Sequence, residues 1–263
     1  MFWIQCKYME FLKFKLLENI GDVVHFVTDR NGGISTEKYA SLNLSMKVGD
    51  DPANVLENRK ILADSVGIGT GQILFPDQCH TNHIKEIKNT VLYDNLDSTD
   101  GLITRDKGIC LCVLAADCVP VILYDPEGKA VAALHAGWRG TCEKIVSEAV
   151  QRMGRNYSSN PEHILACIGP SISQKYYEVG DEVSASFRSM FSDHPEIVRY
   201  NPDAGKNHID LQAANRILLQ KSGLTGEHIE IMNVCTYSHP ELFFSARRDG
   251  YACGRFASGI MLT

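Results

Sequence analysis

A cysteine and a histidine that could do chemistry stand at the two ends of one predicted β-hairpin. Cys118 directly precedes an apolar run, His135 ends the next one, and the turn sequence Asp125–Lys129 lies between the two runs. A four-residue loop would place Cys118 opposite His135, and a five-residue loop would place it opposite Ala136. Since opposed Cβ atoms lie roughly 4.5–5.5 Å apart, either register brings the thiol near the imidazole.

Two chemistries suit a neighbouring cysteine and histidine. Thiolate and imidazole are both good ligands for zinc or copper, and the same pair can act as a thiolate–imidazolium nucleophile. A buried cysteine beside a hydrogen-bonded core histidine is the structural alternative. A third ligand would separate these interpretations, and spacing alone leaves His80 and His83 as equal candidates. Three protein ligands and a water would make an open, catalytic site, whereas a fourth protein ligand would close it.

Charged residues flank both ends of the predicted hairpin. Asp117 directly precedes Cys118, and Arg139 lies in Gly137–Thr141, which leads from the second strand into a helix. Such a turn offers free backbone N–H groups and the positive end of the helix dipole, and an arginine adds a charge suited to phosphate or carboxylate. The sequence therefore predicts an anion site beside the thiol and the imidazole.

The composition limits what kind of protein carries this site. The 263 residues are 44% hydrophobic and 22% charged, which excludes disorder. The net charge of −6 argues against non-specific binding to nucleic acid or anionic lipid. No apolar run approaches the ~20 residues of a membrane span, and the charged N-terminal stretch lacks the core of a signal peptide. Nine cysteines, an odd number, favour reduced thiols. We therefore expect a cytoplasmic protein that binds neither nucleic acid nor membrane.

Short apolar runs alternate with helical patterns along the chain. Asp51 caps a helix predicted to begin at Pro52, to reach about Val66 and to stop at Gly67. Further helices are predicted over 142–153, 181–190 and 211–221. Strands are predicted over 11–17, 23–28, 73–75, 84–87, 109–115, 119–124, 130–135, 164–168, 229–234 and 256–262. This mixed order, without repeats or linkers, predicts a single α+β domain over residues 1–263 with a mixed sheet.

Several sequence blocks occur in the order found in one known family. The blocks are Thr28–Ser35, Ser41–Leu44, Val48–Pro52 with Asn58-Arg59, Gln78–His80, Ala116–Pro120, His135–Gly140, Ile168–Ile172, Tyr177–Val179 and Phe243–Gly250. On these blocks the chain resembles the YfiH-like family from about Val24 to Leu262. This family is also described as laccase-domain or multicopper polyphenol oxidoreductase proteins, peptidoglycan editing factor and purine nucleoside phosphorylase.

The resemblance implies a site, a substrate class and a fold. It implies a zinc site formed by His80, Cys118 and His135, in which copper is the possible alternative, and it selects His80 over His83. It implies a purine nucleoside and phosphate as partners. The implied activities are phosphorolysis of adenosine, inosine or methylthioadenosine to base and ribose 1-phosphate, and deamination of adenosine to inosine. The implied fold is a three-layer α/β/α domain with mixed sheets, similar to putative cysteine hydrolases.

The matched motifs offer candidate residues for each activity. Deamination needs a carboxylate that carries protons to the leaving ammonia, and Asp117 is the candidate, with orientation of the Cys118 loop as its alternative role. Phosphorolysis needs a positioned phosphate and an oxocarbenium-like sugar. The residues expected to bind phosphate are Arg30, Arg139 and Arg247 or Arg248, and Asn43 is expected to bind the nucleoside.

Three other functions remain open on sequence alone. Cys118 and His135 could form a metal-free hydrolase that edits cell-wall peptidoglycan precursors, as one family name implies. A copper polyphenol oxidase is disfavoured, because laccase-type oxidation uses several coppers and the chain has only nine scattered histidines. A non-catalytic nucleoside-binding module would bind its ligand tightly and form no product.

Overall fold

The computed structural model describes residues 3–5, 9–88 and 96–263, and Cys6 lies outside these ranges. The described strands are β1 (Trp3–Gln5), β2 (Glu10–Leu12), β3 (Val23–Val27), β4 (Ile73–Leu74), β5 (Ile84–Glu86), β6 (Gly101–Thr104), β7 (Cys110–Ala115), β8 (Val119–Asp125), β9 (Ala130–Ala136), β10 (Leu165–Ile168), β11 (Glu178–Val179), β12 (Val198–Asn201), β13 (Lys206–Ile209), β14 (Ile229–Ile231) and β15 (Phe256–Leu262). The described α-helices are α1 (Pro52–Val66), α2 (Trp138–Cys142), α3 (Ile145–Tyr157), α4 (Asp181–Met190), α5 (Leu211–Lys221) and α6 (Ala246–Asp249).

The strands form two six-stranded sheets and a small third sheet. Sheet A has the order β1-β2-β3-β15-β7-β4, sheet B has the order β14-β10-β8-β9-β6-β5, and the third sheet has the order β11-β13-β12. Both large sheets are mixed, since β4 pairs in parallel with β7, β5 with β6 and β10 with β14, while the central pairs are antiparallel. The predicted mixed α and β architecture is therefore confirmed.

Sheets A and B pack face to face. Val113 and Ile260 of sheet A share one buried cluster with Ile122 and Val131 of sheet B. Helices α3 and α5 cover the outer face of sheet B, α4 packs against the third sheet beside them, and α1 covers the outer face of sheet A. The order is helix, sheet, sheet, helix, so the packing has four layers rather than the expected three. The extra layer arises because the strands form two large sheets, each with an inner face that must be buried. The similarity to cysteine hydrolases stays a prediction.

Helix α1 begins and ends where the sequence predicts. The carboxylate of Asp51 accepts the backbone N–H of Ala53 at 2.9 Å, Pro52 occupies the first turn, and Gly67 ends the helix at φ 83°. The single helix predicted over 142–153 is instead two helices, α2 and α3. They are separate because Lys144, which lies between them, adopts a left-handed φ of 59°. The strand predicted over 11–17 is also shorter, since β2 gives way to a 3-10 turn.

The hairpin of β8 and β9 is confirmed, but both predicted registers are wrong. Tyr124 pairs with Val131 and Asp125 with Ala130, so the loop covers 126–129. The shift arises because Asp125 is the last residue of β8, and its carboxylate accepts the N–H of Glu127 at 2.9 Å to close the turn. Cys118 consequently lies one residue before the ladder.

Two further findings concern expectations from composition. Within the described ranges, no helix has both the length and the apolar character needed to cross a bilayer. The eight cysteines in those ranges are all free thiols, as the odd cysteine count indicates.

We predict that His25 makes the fold weaken in mild acid. Its ring is buried and accepts the N–H of Phe14 at 3.0 Å. Burial, with a contribution from the charge of Lys13, lowers the pKa of His25 from 6.5 to about 3. Below about pH 6.5 the unfolded chain binds a proton at His25 and the folded chain does not. The free energy of unfolding therefore has its full value only above that pH. About 2 kcal/mol should be lost between pH 7 and pH 5.

Urea unfolding of the wild type and of His25→Gln at pH 7, 6 and 5 measures this loss. The variant should lose less stability on acidification than the wild type. The matched control is His194→Gln, which removes an imidazole from a partly exposed position. An equal change of unfolding free energy with pH in the wild type and in His25→Gln would contradict the role of His25 in acid destabilisation.

Candidate metal centre and its cavity

Three side chains from three parts of the chain meet at one end of the central strands of sheet B. The possible ligand atoms of His80, Cys118 and His135 all lie within 4.8 Å of one another. His135 lies in β9, Cys118 directly precedes β8, and His80 lies in the loop between β4 and β5. The Sγ of Cys118 is 3.7 Å from Nε2 of His80, and the two imidazole rings meet edge to face with centroids 4.9 Å apart. We call this group the triad.

The buried carboxylate of Asp100 holds two members of the triad in place. Its Oδ1 accepts Nδ1–H of His135 at 2.8 Å and the backbone N–H of His80 at 2.9 Å. Its Oδ2 accepts the backbone N–H groups of Cys79 at 3.1 Å and Thr81 at 2.8 Å. Because Nδ1 of His135 is engaged, Nε2 is the nitrogen left for a ligand.

Asp100 is the functional residue that sequence reasoning missed. It lies immediately before β6, a strand that was not predicted either. An acidic residue at the start of an apolar strand is a weak signal, because it does not identify the loop that the carboxylate binds.

The charges of the triad stabilise one another. Burial on its own would raise the pKa of Cys118, but the charge and contact of His135 and the contact with His80 reverse this effect and lower it. Burial would lower the pKa of His135, but the charges of Cys118 and Asp100 raise it. Likewise, burial of Asp100 is outweighed by its hydrogen bonds, and its pKa lies well below the usual range. The apoprotein geometry therefore favours a thiolate, which is the form of cysteine that binds metal.

Asp117 shapes the turn that presents Cys118. Its φ of 94° is in the left-handed region, and its carbonyl accepts the N–H of Ile172 at 3.0 Å. Its carboxylate accepts the hydroxyl of Thr236 at 2.6 Å and the backbone N–H of Arg247 at 2.7 Å. These bonds connect the Cys118 turn to the start of α6 and to the segment after β14.

Gly137 gives the triad its close packing. A Cβ added at this position would lie 2.9 Å from Cδ2 of His80 and 3.0 Å from Sγ of Cys118. The residue after His135-Ala136 therefore has to lack a side chain for the triad to keep its present arrangement.

The triad opens onto a cavity of about 1030 Å³. This volume lies at the upper end of ordinary small-molecule sites. The wall contains aromatic residues and several cations, namely Phe75, Trp138, Tyr177, Tyr251, Lys47, Arg59, Arg139, Arg247 and Arg255. Asp117 also lines the cavity.

The structure separates the five residues expected to bind substrate into two groups. Arg139 and Arg247 line the cavity. Arg30, Asn43 and Arg248 are not among the residues that line it. Arg30 donates to the carbonyls of Ala40 and Pro240, both at 2.9 Å.

Asn43 and Arg248 both hold loops together. The buried Asn43 amide donates to the carbonyl of Ser45 and accepts the backbone N–H of Arg255 at 3.0 Å. Arg248 donates to the carbonyls of Thr236 at 2.8 Å and Phe243 at 2.7 Å. Both side chains thus stabilise loops near the cavity. His83, the alternative third ligand, is exposed and outside the triad.

The triad's donor set fits a metal ion of zinc or copper type. One thiolate and two imidazole nitrogens are ligands that these metals prefer. In the part of the chain that the structure describes, the triad is the one group of three such side chains, and it has no fourth member. The arrangement therefore resembles an open metal site with three protein ligands.

Comparisons with known proteins agree with this fold. Residues 24–263 match the family described as "Multi-copper polyphenol oxidoreductase laccase". The chain therefore belongs to this family, and the resemblance inferred from the sequence blocks is confirmed.

Its relatives carry two kinds of name. The chain is 40% identical to the "Purine nucleoside phosphorylase" of Bacteroides thetaiotaomicron, over 95% of this chain and 96% of that protein. It is 36% identical to "Adenosine deaminase RL5" from an unknown prokaryotic organism, over 96% and 98% of the two chains. The structure of YlmD from Geobacillus stearothermophilus superposes with a TM-score of 0.90 at 30% identity, covering 98% of this chain and 97% of that one.

We predict that Asp100→Asn weakens metal binding. The amide keeps one acceptor but places an N–H₂ group against backbone N–H donors, so the His80 loop and the His135 ring lose their orientation. Zinc affinity, measured by competition with a chromophoric chelator, should fall roughly 10–100-fold. Asp64→Asn, at an exposed position of α1, is the matched control. Unchanged affinity in a folded Asp100→Asn protein would refute this role.

Gly137→Ala should also disturb the triad. The added methyl group forces His80 or Cys118 to move by several tenths of an ångström, so zinc affinity should fall about tenfold or more. Gly71→Ala is the control, because nothing lies within 4 Å of its added Cβ. Equal zinc affinity for the two variants would show that the triad tolerates the methyl group.

Proposed function

We propose that this protein is a zinc-dependent purine nucleoside enzyme. The observation that carries the proposal is the triad His80, Cys118 and His135 opening onto a cavity large enough for a nucleoside with a second reactant. The names of the relatives, purine nucleoside phosphorylase and adenosine deaminase, support phosphorolysis and deamination as its two reactions. The proposed substrates are adenosine, inosine and methylthioadenosine, and the proposed second reactants are phosphate and water.

The proposed deamination replaces the amino group of adenosine with oxygen. An oxygen of water bonds to C6, the C6–N6 bond breaks, and its electron pair leaves with the nitrogen, which takes a proton and departs as ammonia. When bound, zinc in a three-ligand site supplies a Lewis acid that makes water nucleophilic near neutral pH. The part played by Asp100 is to fix the ring of His135 and the backbone of His80 through its hydrogen bonds.

We assign Asp117 to positioning. Each oxygen of its carboxylate already accepts one hydrogen bond, from Thr236 and from the backbone of Arg247. These bonds support the alternative role, orientation of the Cys118 turn, over transfer of protons to the leaving ammonia.

The proposed phosphorolysis transfers ribose from the base to phosphate. A phosphate oxygen bonds to C1′ of the ribose, the C1′–N9 bond breaks, and its electron pair leaves with the base, which takes a proton. Such a reaction depends mainly on positioning. The aromatic faces of Trp138 and Tyr177 in the cavity wall suit a purine ring, and Arg139 and Arg247 bring positive charge to the same wall.

One alternative is favoured by a specific contact. The thiol of Cys118 lies beside two imidazoles, which is also the arrangement of a metal-free cysteine nucleophile. Such a hydrolase would retain activity after zinc is removed, and alkylation of Cys118 would inactivate it. A multicopper oxidase is less well supported, because the described residues contain a single cluster of three metal-binding side chains.

Incubation of the metal-analysed protein with adenosine, with and without phosphate, tests the proposal. Inosine in both conditions indicates deamination, and phosphate-dependent adenine and ribose 1-phosphate indicate phosphorolysis. Absence of any product would contradict the enzyme proposal and leave a binding module.

We predict that Cys118→Ala loses both zinc and adenosine turnover. The loss should exceed the roughly 10–100-fold effect expected for an outer hydrogen-bond partner, because a ligand itself is removed. Cys79→Ala removes an exposed thiol next to His80 and should keep both properties. Retention of zinc and turnover in Cys118→Ala would overturn the assignment of the triad.

A further inference from the structure

Arg59 is a partly buried cation in the wall of the cavity. It lies on α1, and its Nε donates to the carbonyl of Leu44 at 3.0 Å. Its guanidinium carbon is 4.3 Å from the centre of the Phe75 ring. These two contacts fix the plane of the guanidinium group and leave both terminal nitrogens without a hydrogen-bond partner among the residues that the structure describes.

The other cations of the cavity have different surroundings. Lys47 forms an ion pair with Asp77, and Arg255 donates to the carbonyls of Tyr251, Cys253 and Gly254. Arg247 donates to the carbonyl of Glu178. Arg139 is exposed to water.

No carboxylate of the described chain compensates Arg59. None lies within 4.0 Å of its nitrogens in residues 9–88 and 96–263. Burial lowers the pKa of Arg59, with a small opposing effect of Cys112, but a guanidinium group stays charged at physiological pH. A partly buried charge without a carboxylate partner is incompletely compensated by the protein, and an anion that enters the cavity would pair with it.

We propose that Arg59 is the anion subsite of the cavity and binds a phosphoryl group through its two terminal nitrogens. A planar guanidinium with two free N–H₂ groups matches two oxygens of a phosphate. The matched motifs offered Arg139, Arg30 and Arg247 or Arg248 as phosphate-binding residues, and Arg59 was not among these candidates. The proposal deepens the proposed function and rests on it, because phosphate is the second reactant of phosphorolysis.

The phosphoryl group has two possible sources, inorganic phosphate and the 5′-phosphate of a nucleotide. For inorganic phosphate, Arg59→Met should raise the KM for phosphate at least about tenfold, which is the loss of one charge-assisted interaction. The KM for phosphate should change more than the KM for the nucleoside, because the guanidinium group contacts the phosphoryl group in this proposal. For a nucleotide, the KM for phosphate is unchanged, and AMP binds the wild type more tightly than adenosine, an advantage that Arg59→Met loses.

Three controls keep the test independent of folding. Zinc content should be the same in Arg59→Met and wild type, because Arg59 is not a member of the triad, and circular dichroism should show the same fold. Arg59→Lys, which keeps the charge but not the two-pronged geometry, should give an intermediate KM. Arg155→Met removes an arginine that is 61% exposed and paired with Glu148 on α3, and it should leave every constant unchanged.

A binding measurement separates failure of this subsite from failure of the proposed function. Calorimetric titration of the zinc-loaded protein with inorganic phosphate or AMP needs no turnover. Binding of either anion that is lost in Arg59→Met supports the subsite even where no nucleoside is converted. Equal binding by both proteins, or no binding of either anion to the wild type, overturns it.

Discussion

The geometry of the site depends on one buried carboxylate. Asp100 is inaccessible to water, and its two oxygens accept hydrogen bonds from the ring of His135 and from three successive backbone N–H groups at 79–81. A buried carboxylate is costly unless its oxygens accept hydrogen bonds. Asp100 can therefore stay buried only while the ring of His135 and the backbone at 79–81 donate to it. One interaction thus joins a strand of sheet B to a loop from a distant part of the chain.

The two-sheet packing explains why this carboxylate can be buried. β8 and β9 are central strands covered on one face by sheet A and on the other by α3 and α5, and loops enclose the strand ends that carry the triad. There the backbone adopts conformations that regular strands do not provide: Asp117 and His80 both have positive φ, and Gly137 allows close approach. These positions are strained for residues with side chains, and the hydrogen bonds of Asp100 and Asp117 hold two of them.

Sequence patterns predicted the elements whose signals are local. Asp51, Pro52 and Gly67 define α1 because capping and proline geometry act within one turn, and the apolar runs of β7, β8, β9 and β15 are recognisable individually. The register of the hairpin was missed because it depends on the Asp125 side chain. The sequence patterns indicated one mixed sheet where the structure has two large ones, because they identify strands singly and do not show which strands pair. The strands β6, β11, β12 and β13 were missed because each is only two to four residues long. The thiol and the imidazole were nonetheless expected together, since a register shift of one or two residues leaves the residues that flank a hairpin close to each other.

The sequence does not distinguish arginines that stabilise loops from arginines that can bind a ligand. Arg30, Arg248 and Arg255 donate to backbone carbonyls and hold loops, whereas Arg59 and Arg139 leave their terminal nitrogens for the cavity or for water. The difference depends on which carbonyls lie nearby in the fold, and no spacing rule encodes that. An arginine in a matched motif near a site can therefore either stabilise a loop or bind a ligand. The hydrogen bonds of the terminal nitrogens separate the two roles: in an arginine that stabilises loops these nitrogens already donate to carbonyls, whereas in Arg59 they have no partner among the described residues.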